Sequence, residues 1–189
     1  RLYEERGQRG LALGEYSRAL LLDDGSASLA RRLSETSAIA GEPARSLEFA
    51  ERALRIDPDD ARALWLQGTA LLNLNREREA LAPLEAAAKG DSEKVEYLRT
   101  LGRAAESLDR LDIAVRSYRR VVWLDPDDVE SWFQLAAGEA RLGHFGAADT
   151  ALAEVAEMNP LRPGMFFLQG WVQENLGHPQ RAMDLYQEH

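Results

Sequence analysis

The chain repeats itself every 34 residues, and a chain built this way has few folds open to it. Shifted by that step, the sequence lays Gly68, Gly102 and Gly170 in one column, with Ala136 filling the missing place. A second column holds Ala12, Ser46, Ala80, Ala114, Ala148 and Ala182. Leu64, Leu98, Trp132 and Phe166 form a third, and Tyr16, Ala50, Leu84, Tyr118, Leu152 and Tyr186 a fourth. A unit this short cannot bury its apolar face alone, so each copy must use its neighbours as its core.

Inside each period the apolar residues recur three and four apart, which is the spacing of helices. Leu98, Leu101 and Ala105 share one helical face; Ala114, Tyr118 and Val121 share another. A break lies between the two faces. Its column reads Gly7, Gly41, Asn75, Asp109, Gly143 and Gly177, the residue types that best tolerate a left-handed backbone at a helix end. Pro43 and Pro179 follow two residues later, where a helix accepts proline in its first turn. Each period is a helical hairpin. The small-residue columns let the two helices cross closely, with bulkier residues filling the space beside them.

In 129–160 the pattern is Trp132-x-x-Leu135-Ala136, then Ala148-x-x-x-Leu152, then Pro160. It resembles the tetratricopeptide repeat signature, with Ala136 in place of the usual Gly and Glu139 in place of the usual aromatic. The 95–128 unit adds Gly102, Tyr118 and Pro126. The resemblance implies an all-α, right-handed solenoid of stacked antiparallel hairpins, in one array over 1–189. Full repeats are expected at 27–60, 61–94, 95–128 and 129–162, with partial ones at 1–26 and 163–189. Ala30 and Ser34 stand where bulk and Gly are usual, so the first full hairpin is expected to be looser. Pro83 falls inside a second helix and is expected to bend it or to break one hydrogen bond.

Asp-Pro-Asp-Asp occurs at 57–60 and again at 125–128, 68 residues on. Calcium loops need alternating oxygen ligands, a central Gly and a distal Glu, which neither run supplies. Proline ends one helix and the aspartates cap the next, so the runs are punctuation. His144 and His178 both follow Leu-Gly, in the same column of adjacent repeats. Stacked hairpins set such points roughly 8–10 Å apart, too far for zinc bonds of about 2 Å each. They read as exposed turn histidines. No nucleophile elbow, phosphate loop or H-E-x-x-H motif is present, so no catalytic residue, metal or cofactor is expected.

A formal charge of −9, from 32 acidic and 23 basic residues, argues against nucleic acid as the partner. No apolar run is long enough to span a membrane. There is no cysteine, which removes disulfides and thiolate sites. The chain starts at Arg1 and is expected to be an excerpt of something longer.

In the family resembled, first helices line a concave groove that often receives a peptide. The columns expected to face it run Arg31, Trp65, Arg99, Phe133, Phe167; then Arg103 and Trp171 one turn on; then Arg62; then Arg141. A protein or peptide ligand with acidic and large apolar side chains would suit them. Trp132 and Phe166, in the ladder itself, are expected in the core. The family's carboxylate clamp does not map here, because Glu35 and Glu96 would repel a terminal carboxylate. Arg119 is expected on the outer surface. Met183 and Tyr186 would be left half covered, so self-association through the incomplete end repeats is expected. A different reading is a regulatory or oligomerisation segment of a larger enzyme or membrane-anchored protein.

Overall fold

A computed structural model describes residues 25–188 together with Gly14, so the partial repeat expected at 1–26 lies almost wholly outside the described residues. The described residues form helices joined by turns: α1 (Ala27–Ile39), α2 (Pro43–Ile56), α3 (Ala61–Asn73), α4 (Glu77–Gly90) and α5 (Val95–Ser107). There follow α6 (Leu111–Leu124), α7 (Val129–Arg141), α8 (Phe145–Met158), α9 (Met165–Asn175) and α10 (Pro179–Gln187). Odd-numbered helices are the first helices of their hairpins and even-numbered ones the second. The described chain divides into two compact units after Thr100.

The break column closes each hairpin in the same way. Gly41, Asn75, Asp109, Gly143 and Gly177 all have positive φ, between 56° and 82°. The next amide then bonds back to a carbonyl five residues earlier: Glu42 to Ser37, Arg76 to Leu71, Arg110 to Ala105, His144 to Glu139 and His178 to Gln173. This pairing satisfies carbonyls that a helix end would otherwise leave open. The acidic runs act between hairpins. Asp60 accepts from the amides of Arg62 and Ala63, and Asp128 from that of Ser131, each capping the helix it precedes.

Helix crossings explain the small-residue ladder. A Cβ at Gly68 would meet the Leu84 side chain, and one at Gly102 would sit 2.8 Å from the Tyr118 ring. Gly170 faces Tyr186 in the same manner. In the first full hairpin a hydrogen bond takes over this role. Ser34 and Ser46 are both fully buried, and Ser34 Oγ donates to the Ser46 carbonyl at 2.8 Å. The expectation of a loose hairpin is corrected, because a buried bond ties its helices together.

Helix α4 runs from Glu77 to Gly90 across Pro83, which supplies no amide for the helical bond to the Glu79 carbonyl. One further expectation is revised. Trp132 and Phe166 are half-buried rather than core. The Trp132 indole N–H donates to the Pro126 carbonyl, which holds the ring at the hairpin junction. The fully buried core instead uses Leu33 and Leu84 in the first unit, and Tyr118, Val121, Leu152 and Val155 in the second.

Candidate functional site

In the first unit the expected partner-facing residues are engaged with their own chain. Arg31 pairs with Asp60 at 2.7 Å, the same carboxylate that caps α3. Arg62 donates from Nε to Glu35 at 2.9 Å and from Nη1 to Glu96 at 3.0 Å, tying three successive repeats together. Burial alone would lower the Arg62 pKa, but bonding to Glu35 and the charges of Glu35 and Glu96 hold it above its usual value. The Arg62 guanidinium also lies 4.5 Å from the centre of the Trp65 ring. Trp65 in turn stacks on Tyr97, with centroids 5.7 Å apart, and donates its indole N–H to Thr100 at 3.1 Å. Arg99 is half-buried on the same helix as Tyr97.

The second unit is more open. Arg103 is exposed and carries no ion pair among the described residues. Phe133 is covered by Arg162, whose guanidinium lies 3.4 Å from the ring centre and also bonds Glu130 at 2.6 Å. Burial pushes the Glu130 carboxyl up, but bonds from Arg162 and Gln134 leave it below the ordinary value. Arg141 pairs with Asp109 at 2.6 Å. Trp171 meets Phe145 edge to face, at 6.0 Å between centroids, so it packs on the second helix of the preceding repeat. Phe167 is 55% exposed, with Tyr186 beside it at 5.9 Å.

A pair of buried polar residues was not singled out as a site by sequence reasoning. Glu139 is only 2% exposed and Gln173, one repeat on, equally so. Glu139 bonds Arg119 through one carboxylate oxygen and His144 Nδ1 through the other, the latter at 2.8 Å. Gln173 bonds His178 Nδ1 at 2.9 Å and Asp149 at 2.7 Å. Both histidines are exposed, as expected, but each is anchored to a buried polar group. The recurring pair of an acid or amide with a histidine five residues later was the available signal. Arg119 is on the surface, yet it is fixed from below by Glu139.

The hairpins, their left-handed turns and the glycine crossings are those of one repeat family, which matches this chain over residues 40–95 and 134–189, more than half its length. The chain belongs to the tetratricopeptide repeat (TPR) family. It is 30% identical over 151 residues to superkiller complex protein 3 of Mus musculus, across 75% of this chain and 9% of that protein. It is 29% identical over 118 residues to tetratricopeptide repeat protein 33 of Xenopus laevis, across 61% of this chain and 45% of that protein. The chain thus spans less than half the length of either relative. Among solved structures, YrrB, a TPR protein with an unusual peptide-binding site, superposes with a TM-score of 0.84 at 22% identity, covering 90% of this chain and 88% of that one. MamA superposes with a TM-score of 0.75 at 16% identity, covering 85% and 88%. These similarities show the all-α TPR solenoid fold. TPR domains are in general protein–protein interaction modules and scaffolds.

Proposed function

We propose that this TPR chain binds a segment of another protein on its first-helix faces, led by apolar contact in the second unit. The observation that carries this reading is Phe167, a phenyl ring 55% open on α9 in the column expected to face a ligand. Large exposed aromatic groups on an otherwise polar surface are typical binding anchors. Arg103 adds an exposed guanidinium to the same unit, suited to a carboxylate on the ligand. A peptide-binding site in the similar TPR fold of YrrB supports the same use.

The charge preference shifts from the one expected. Arg31 and Arg62 already hold Asp60, Glu35 and Glu96, so an acidic ligand there would have to displace carboxylates of the chain itself. Trp65 holds Tyr97 and Thr100 in place, and truncating it would disturb the fold as well as any ligand contact. Phe167 and Arg103 are therefore the cleaner probes. After affinity capture of a partner from native extract, its binding segment is titrated against Phe167→Ala and Arg103→Glu. The Phe167 variant should lose about 2 kcal/mol of binding. Arg103→Glu should slow association and change its salt dependence. Arg78→Glu, on the second helix α4, should bind as the parent does. Parent-like affinity in both test variants would remove the reading.

A second reading rests on Met183 and Tyr186, both exposed on α10, with the Tyr186 ring beside Phe167. Self-association through this hairpin predicts a concentration-dependent mass in sedimentation, reduced by Met183→Glu.

A further inference from the structure

Helix α6 carries a surface stripe that the first-helix faces do not account for. Arg116, Arg119, Arg120 and Trp123 recur at three- and four-residue spacing, which gathers them on one side of the helix. Trp123 is 67% exposed, so its indole contributes little to the core beneath it. The Arg120 guanidinium lies 4.0 Å from the centre of that ring, an arrangement that holds both side chains up from the surface together. Arg119 is fixed from below by the buried Glu139, which limits its freedom before any partner arrives. Arg116, one turn back, is exposed and carries no ion pair among the described residues. Tryptophan and arginine are the residues most enriched where binding energy concentrates, and here part of their ordering is already done.

From this stripe we infer a second interaction surface on α6, whose partner is an acidic protein segment with an apolar side chain among its carboxylates. Charge complementarity selects the occupant. The three guanidinium groups stand together on a chain whose net charge is −9, so the attraction is local. A duplex nucleic acid is held by many phosphate contacts along its backbone, and this helix face offers only three guanidinium groups on an acidic chain. An anionic bilayer gains only about 1 kcal/mol per surface arginine, against repulsion from the remaining acidic surface. A short acidic segment requires fewer contacts: Arg116 offers its whole fork, Arg119 keeps donors beyond the one given to Glu139, and an apolar side chain of the segment covers the open face of Trp123.

The test uses a fluorescein-labelled peptide of repeated Glu-Glu-Leu and the full chain, followed by anisotropy at low salt. A Lys-Lys-Leu peptide of equal length is the counter-probe. Affinity for the acidic peptide should fall about tenfold or more in the double variant Arg116→Glu, Arg120→Glu, and several-fold in Trp123→Ala. Arg116→Lys with Arg120→Lys should keep most of the charge-driven association but lose part of the affinity that forked bonding supplies. Arg116 and Trp123 are exposed and Arg120 is half-buried, and thermal unfolding of each variant shows whether the fold is intact. Phe167→Ala should leave the acidic peptide bound, which separates this surface from the first-helix one. Equal binding of the basic peptide, or parent-like binding in the α6 variants, overturns the inference. So does loss of the peptide in Phe167→Ala alone. Binding of anionic vesicles or single-stranded RNA with the same dependence on α6 would replace the proposed occupant, as would self-association abolished by the α6 variants.

Discussion

Burial pushes the Tyr118 phenol far above its ordinary pKa of 10.0, and the nearby Glu106 carboxylate, which its hydroxyl bonds at 3.3 Å, adds to the shift. A group whose folded pKa is raised contributes stability that is complete below its unfolded value and is lost as pH rises through the folded one. The chain should therefore weaken progressively above about pH 10 in urea unfolding, and Tyr118→Phe should weaken less over the same range. A pH profile shared by both would contradict this placement of the hydroxyl. At this scale the sequence was only partly legible. The 34-residue ladder set Tyr118 on one apolar face with Ala114 and Val121, and the structure buries that face, with the Tyr118 ring against Gly102. Glu139 was legible as a departure from the pattern but not as an anchor, since its partners Arg119 and His144 come from separate helices or turns. The Ser34–Ser46 bond was hidden for a related reason: two small polar residues twelve positions apart look like weak packing until the crossing brings them together.

Helix ends were the best-read elements, because they depend on local chemistry. The Gly, Asn and Asp column predicted left-handed residues, and all five described members adopt positive φ. The aspartates of the two acidic runs predicted caps, and Asp60 and Asp128 supply them. Proline at position 83 was less informative: its missing amide affects one bond, and the helix continues on both sides of it. Helix crossings make a sharper prediction. Gly102→Ala adds a methyl that would meet the Tyr118 ring at 2.8 Å. Overpacking of this kind costs about 1–3 kcal/mol, against about 1 kcal/mol gained from helix propensity. The variant should unfold at lower denaturant than the parent. A stability equal to or above the parent's would show that the crossing relaxes freely.

For the molecule as a whole, the same periodicity that revealed the fold says little about where a ligand would bind. Residues one period apart on first helices are neighbours, so a column expected to face a ligand is also a column of contacts between repeats. Arg62 to Glu96 and Trp65 to Thr100 join positions 34 and 35 apart, and Arg141 to Asp109 joins positions 32 apart. No single-sequence pattern separates an arginine kept for a ligand from one that ties two repeats together. The structure shows which carboxylates already hold Arg31, Arg62 and Arg141, and among the expected set Phe167 and Arg103 are exposed. Hydrogen exchange of the chain with and without its captured partner segment tests this most directly. Added protection in α5, α7 and α9, reduced by Phe167→Ala, is the expected result. Unchanged exchange in all three first helices, with the partner bound, would contradict it.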